Sequence, residues 1–509
     1  MPPQPRDPHN VAAARAAAIE ALCQPDLADI VDLVVWVEDG PEGRAQGRTP
    51  YAANSVGRVR FHVDGPAEVI AGDNPIGSED PMAFLPYERE VANPSPARST
   101  ENAYPLAATR LLSFFDNPHR SPDLAIVHTP RHYFPDEGGH LGEHGSLDVI
   151  QSRAPFILSG AGVQRLGYVH GYARLVDVGP TLAHLVGVPD DELRDAHGVA
   201  LDGRPQTQHL DPATAPSHVI GILWDGGHCG DLLHLAATGE LPGIARLVER
   251  GLALRGGAVA EFPSITLTNH TAILPGVGPG RHGVMGNVYY DRATGERVVP
   301  NDESTWHRSA EWLVDGARTV FEIVNDHLGP IDRVRTASVD EAIDRGADYS
   351  TMALIRASGE SGADALDDAL PDPHTSPYLR NPDYLEDDYF RWGVRVDDLG
   401  LQQMRDLFAA PDQAPLLTWW ANVVTDCGHH GGGPRSAMSR DSLKQADARL
   451  STFLDHLDGL GILDDVTILL TADHGFEGAD TAVTGSWRAA LDGLGIPYRD
   501  EGPGLVYFT

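Results

Sequence analysis

Residues 466–475 read Val-Thr-Ile-Leu-Leu-Thr-Ala-Asp-His-Gly, an apolar run that stops abruptly at Asp473 and His474. A run without strict alternation suits a strand buried on both faces of a parallel sheet, and a polar ending suits the loop at such a strand's carboxyl end. The same grammar recurs at 219–224, which ends in Asp225 and Gly226, and at 415–424, which leads into Asp426, Cys427, Gly428, His429 and His430. Further apolar runs at 30–37, 123–128 and 154–159 alternate with helical patterns at 12–22, 177–185, 241–250 and 436–457. The expected fold is α/β, a doubly wound and mostly parallel sheet with helices on both faces.

Composition narrows the class. The 509 residues carry 73 acidic and 38 basic side chains, a formal net charge of -35, and Lys444 is the sole lysine. That excess disfavours nucleic-acid polymers and anionic membranes as partners. Hydrophobic residues at 41% and charged residues at 22% match a chain that buries a large core. Three cysteines, Cys23, Cys229 and Cys427, are too few for a disulfide framework, and no apolar stretch reaches membrane-spanning length. The expectation is a cytoplasmic protein acting on a small molecule. Two stretches interrupt the α/β rhythm: 203–217, rich in proline and polar residues, reads as an exposed linker, and about 290–412, rich in Asp, Pro and Tyr, reads as an inserted cap.

In open α/β sheets the site lies beyond the carboxyl ends of the strands. Asp225, Asp426 and Asp473 all fall there, two of them with adjacent histidines. Any one aspartate alone reads equally well as a helix or turn cap. Three carboxylates gathered at one sheet edge repel one another unless a cation neutralises them, and Asp with neutral His is a donor set for zinc or a similar divalent ion. Thr266 sits in Phe-Pro-Ser-Ile-Thr-Leu-Thr-Asn-His, at the turn into a short helix whose first N–H groups attract phosphate oxygens. Taken alone, Thr266, Thr268 or Asn269 is a helix cap.

The order of these segments, Asp225, then P-S-I-T-L-T-N-H, P-G-R-H-G-V-M-G-N, T-D-C-G-H-H-G-G-G-P and T-A-D-H-G, resembles the nucleotide pyrophosphatase/phosphodiesterase branch of the alkaline phosphatase superfamily. The family's nucleophilic threonine is followed by F-P-N-H; here Leu267 and Thr268 replace the Phe-Pro pair, while Asn269 and His270 remain. The resemblance implies Thr266 as nucleophile and Asn287 as a contact to the phosphoryl oxygen. It implies two divalent metal ions, zinc by ligand type, one held by Asp225, Thr266, Asp473 and His474 and the other by Asp426, a histidine and one more ligand. Aligning the loop on Gly433-Pro434 selects His430 over His429. It implies hydrolysis of a phosphodiester or pyrophosphate through a phosphothreonine. A phosphomonoesterase, a phosphonate hydrolase, or a zinc-binding interaction protein without catalysis would keep the same ligands.

The family's last ligand is a His-Gly beyond the D-H-G strand, and this chain has no histidine after Gly475. The motif G-G-H-L-G-E-H-G near the other end resembles that closing segment and supplies His144. The order then resembles a circular permutation, with the family's C-terminal half at 1–202, a linker at 203–217, and the N-terminal half with its cap at 218–509. A swapped dimer that completes each site between two chains satisfies the same order. His128, His132 and His140 read as surface or supporting residues rather than ligands, Cys427 as a small packed residue, and Arg281 as a surface residue.

Overall fold

The three apolar runs that end in aspartate lie side by side. Leu417–Asn422, His218–Trp224 and Val466–Thr471 are adjacent parallel strands, with Trp224 opposite Asn422 and Leu223 opposite Thr471, so their carboxyl ends are level. The computed structural model describes residues 8–40, 47–93, 103–136, 138–302, 304–329, 333–358, 367–502 and 504–509.

Because successive side chains on a strand point to opposite faces, these runs feed two cores. Val219, Leu223, Leu417, Trp419 and Leu469 pack with Leu182, Leu267 and Phe321 on one face. Ile220, Ile222, Trp224, Trp420 and Leu470 pack with Leu232, Leu247 and Leu450 on the other. Each fully buried side chain of this kind contributes about 1.5–3 kcal/mol, which is why the runs show no polar alternation. The whole sheet has eight strands in the order Tyr349–Ser350, Thr336–Val339, Leu417–Asn422, His218–Trp224, Val466–Thr471, Phe156–Gly160, Gly251–Leu254 and Gly167–Val169. It is mostly parallel; Phe156–Gly160 runs antiparallel to both of its neighbours.

The runs at 30–37 and 123–128 do not join this sheet, contrary to the expectation from their composition. Val31–Glu38 and Leu124–His128 belong to a separate seven-stranded antiparallel sheet, ordered Tyr498–Glu501, Leu505–Phe508, Leu124–His128, Val31–Glu38, Thr49–Ala53, Gly57–His62 and Gly65–Gly72. The reason is physical. Val34, Trp36 and Ile126 are covered on one face by Ala18, Leu22 and Trp487, while Leu33, Val35 and Val127 share the other core with Leu111 and Phe114. Strands buried on both faces lose their alternation whichever way their neighbours run.

Two other boundaries differ. The segment 290–412 is not a single appended cap, since its Thr336–Val339 strand pairs with Leu417–Asn422 inside the central sheet. The segment 203–217 is exposed over most of its length, 211–215 included, but is anchored at two points: Gln206 is buried and donates to Asp177 Oδ2 at 2.9 Å, and Leu210 bridges Val163. Arg281 is likewise no free surface residue, because its guanidinium grips Asp195 and Asp202, each at 2.6 Å. Among the described residues, no helix is long and apolar enough to cross a membrane.

Candidate active site

Each strand end delivers its side chain for a local reason. Asp225 follows His218–Trp224, its N–H held by the Asn422 carbonyl at 2.8 Å. Gly226 then turns with φ +62°, and its N–H donates to Asp473 Oδ1 at 3.0 Å. A β-carbon there would stand 2.2 Å from the Phe476 ring, so only glycine permits this close approach. Asp426 and His430 lie one turn apart on Val424–Gly432 and therefore share a face, with His430 Nε2 3.3 Å from Asp426 Oδ1. His429, on a different face, gives its Nδ1 to the Thr425 carbonyl at 2.6 Å and stacks on Phe476.

His144 arrives from the first half of the chain. The Gly142–Glu143 strand pairs with Glu477–Gly478, just past His474, which sets the loop beside the strand ends. The His144 ring stacks on His474 with centroids 3.8 Å apart, and its Nδ1 contacts the Ser264 carbonyl at 3.1 Å. A carbonyl only accepts, so Nδ1 carries the proton and Nε2 keeps a lone pair, the form a metal ligand needs. The Nδ1 of His474 contacts the Gly475 carbonyl at 3.1 Å in the same way, and its Nε2 faces Asp473 Oδ2 at 3.1 Å.

Three groups of ligand-type side chains result, each with its donor atoms within 4.8 Å of one another: His144, Asp426 and His430; Asp225, Asp426 and His474; and Asp225, His270 and Asp473. All the ligand residues expected from the sequence other than Thr266 are in these groups, and both halves of a single chain contribute. His128, His132 and His140 are in none of them; His128 and His132 pack with Phe134 in a wall of the cleft, and the His140 ring lies 4.0 Å from that of His430.

The electrostatics of this cluster call for positive charge. Burial, and then Asp473 and Asp426, push the Asp225 carboxyl well above the ordinary carboxylate range. Burial opposes the charged form of His474, yet Asp473 and Asp225 outweigh it and lift the imidazole to about 9. Asp225 Oδ1, Asp426 Oδ1, Asp473 Oδ2 and His430 Nδ1 are buried without hydrogen-bond partners. Orphaned oxygens and nitrogens at such density fit divalent cations, which would satisfy them together.

Thr266 opens the helix Thr266–Ile273, and its Oγ1 lies 3.4 Å from His474 Nε2. Asn269 pins the turn, accepting from the Glu261 N–H at 2.7 Å and donating to the Pro263 and Ile265 carbonyls. Asn287 Oδ1 accepts from the Leu267 N–H at 3.1 Å, so its amide NH2 is the donor turned to the cleft. Thr266, Asn287, His144, Asp426 and His430 line a cleft of about 790 Å³ whose outer wall includes Phe134, Arg297, Arg488 and Leu505.

Two partners in the site lie outside the sequence motifs. Tyr389, from the segment expected to be a cap, donates its hydroxyl to Asp426 Oδ2 at 2.6 Å; nothing in its acidic surroundings singles it out. Glu341 receives His270 Nδ1 at 3.0 Å. It follows Thr336–Val339, so the rule that picked out the aspartates would have found it had that short strand been recognised.

The sequence profile of the type I phosphodiesterase / nucleotide pyrophosphatase family matches residues 219–502, more than half of the chain. The chain belongs to this family. Among curated relatives, an uncharacterized pyrophosphatase/phosphodiesterase of Schizosaccharomyces pombe is 30% identical over 266 residues, covering 51% of this chain and 44% of that protein. The alkaline phosphatase PafA of Elizabethkingia meningoseptica is 25% identical over 107 residues, covering 21% of this chain and 20% of the relative. The chain thus spans less than half the length of these relatives. Among solved structures, murine ectonucleotide pyrophosphatase / phosphodiesterase 5 is 16% identical with a TM-score of 0.38, covering 52% of this chain and 59% of that one. Phosphonoacetate hydrolase from Sinorhizobium meliloti, in complex with phosphonoformate, is 24% identical with a TM-score of 0.34, covering 54% and 59%.

Proposed function

We propose that this family member hydrolyses phosphodiester or pyrophosphate bonds of a small molecule through a phosphothreonine on Thr266, with two divalent cations, zinc by the chemistry of the donors. The observation that carries this reading is the position of Thr266: a hydroxyl at a helix start, 3.4 Å from His474 Nε2, facing a cleft above buried aspartates. Asp225, Asp473 and His474 would hold one cation beside Thr266, and Asp426, His430 and His144 the other. Bound there, the pair supplies charge that eases ionisation of the attacking hydroxyl and steadies the leaving oxygen.

Thr266 Oγ1 attacks phosphorus and the alcohol or phosphate group departs; water then cleaves the phosphothreonine and restores the hydroxyl. Because the Leu267 N–H is engaged by Asn287 Oδ1, the donors left for the phosphoryl oxygens are the Thr266 N–H and the Asn287 amide NH2. Such donors are worth about 3–4 kcal/mol each when aimed at developing charge. The substrate class follows from the charge available. Arg297 and Arg488, the arginines lining the cleft, are paired with Glu501 at 2.8 Å and Asp500 at 2.6 Å. With no unpaired guanidinium there among the described residues, a singly charged diester is favoured over a monoester dianion.

The order of the halves supports a circular permutation. Phe156–Gly160 from the first half pairs with Val466–Thr471 from the second, and Leu124–His128 pairs with Leu505–Phe508. The helix Pro8–Leu22 also packs in one apolar cluster with Val506 and Phe508. Three unpaired cysteines support a reducing, cytoplasmic compartment. Turnover of bis-p-nitrophenyl phosphate against p-nitrophenyl phosphate and phosphonoacetate tests the substrate class. Preference for the diester is expected, and a strong preference for either other compound overturns it.

A further inference from the structure

His270 lies one helical turn beyond Thr266 on Thr266–Ile273, so the two share a face. It is fully buried, and so is its partner Glu341. Glu341 in turn is fixed from two sides: Trp419 Nε1 donates to its Oε2 at 2.8 Å and the Ile343 N–H to its Oε1 at 3.0 Å. Both carboxylate oxygens lie 3.0–3.1 Å from His270 Nδ1. Burial opposes a charged His270, yet Glu341, Asp225 and Asp473 raise its imidazole well above the ordinary value; in the neutral ring that a metal ligand requires, the proton sits on Nδ1 and Nε2 presents a lone pair.

Nε2 has no hydrogen-bond partner. It faces Asp225 Oδ2 at 3.6 Å and Asp473 Oδ2 at 3.8 Å. These separations exceed the 2.7–3.2 Å of an N–H···O bond. They are close to the roughly 3.4 Å between donors arranged tetrahedrally at about 2.1 Å from one ion. Asp225 meanwhile turns its other oxygen, Oδ1, toward His474 Nε2 at 3.7 Å, so its two oxygens serve different histidines. A carboxylate–imidazole pair aimed at two carboxylate oxygens has the arrangement of a metal ligand with its orienting partner.

We propose that His270 is a further metal ligand, acting with Asp225 and Asp473, and that Glu341 is the residue that positions it. The assignment rests on the reading of the aspartate cluster as a divalent-metal centre. His270, Asp225 and Asp473 are all buried, and none is among the side chains that line the cleft.

The test is zinc binding to the metal-free protein, followed by chelator competition, in the wild type, His270→Ala and Glu341→Gln, with unfolding curves of the metal-free forms to confirm that each variant folds. His270→Ala is expected to weaken the tighter-bound zinc by about 100-fold, and Glu341→Gln by about 10-fold, in line with the loss of a ligand and of its orienting partner. Zinc-edge X-ray absorption of the loaded wild type supplies a readout that needs no variant. Four imidazoles shared over the centre, from His144, His270, His430 and His474, are expected. Three imidazoles, or folded variants with wild-type zinc affinity, overturn the assignment while leaving the hydrolase reading intact. A wild type that binds no divalent ion overturns both.

Discussion

His144 and His474 stack face to face, 3.8 Å between ring centroids and 13° between planes, although they come from opposite halves of the chain. His144 is neutral in this setting: burial, then the neighbouring His474 and His430, hold its imidazole well below the usual range. A neutral ring is the ligand form. Replacing His144 with alanine is expected to cut zinc content by about one equivalent and diesterase turnover by at least about 100-fold, more than loss of an orienting residue costs. Metal analysis beside turnover of the same preparation checks this; full zinc content would remove His144 from the centre.

Tyr389 tests the contribution of the segment expected to be a cap. Its hydroxyl donates to Asp426 Oδ2 at 2.6 Å, a bond to a charged acceptor worth about 1.5–3 kcal/mol. Tyr389→Phe keeps the ring stacked on Trp392 and removes only that bond. Zinc affinity by chelator competition is expected to fall about 10-fold or more with the fold unchanged, and unaltered affinity would mean that Asp426 is oriented without it.

A pH dependence of stability arises away from the aspartate and histidine cluster, at Asp397. Burial pushes this carboxyl up to about 7, despite the pull of Arg449 and of the Val423 and Val424 N–H groups. A carboxyl raised in the folded state stabilises the fold while protonated, and that contribution is lost as pH climbs from about 4 through 7. Asp397→Asn retains an acceptor for the Val423 N–H, now 2.8 Å from Oδ1, without the buried charge. Thermal unfolding should show the variant similar to the wild type at pH 5 and more stable at pH 8, by on the order of 2 kcal/mol. An equal difference at both values would show that Asp397 does not titrate in this range.

Much of the site was legible because the sheet places it. Asp225, Asp426 and Asp473 announce themselves as polar residues ending apolar runs, whereas His430 was chosen over His429 only by aligning its loop on Gly433-Pro434 with the family it resembles. His144 was reachable only through resemblance, because no local pattern ties a glycine-rich loop near the start of the chain to strand ends hundreds of residues later. The partners of these side chains were not legible. Tyr389 and Glu341 meet Asp426 and His270 through tertiary packing, and Thr336–Val339, which carries Glu341 to its place, is a short run of small residues that resembles a loop. The antiparallel sheet was misread for a different reason: Val31–Glu38 has seven buried residues in eight, so burial erased the alternation that distinguishes such a strand.

Thr266 carries the central claim, and its substitution tests it most directly. Wild type and Thr266→Ala, each stripped with EDTA and reloaded with zinc, are compared for bis-p-nitrophenyl phosphate turnover and zinc content, with acid-quenched wild type digested to seek phosphate on Thr266. The expected result is chelator-sensitive turnover in the wild type, a phosphorylated Thr266 peptide, and a loss of about 10³-fold or more in a variant that still binds zinc. A Thr266→Ala protein that hydrolyses the diester at the wild-type rate would contradict the account.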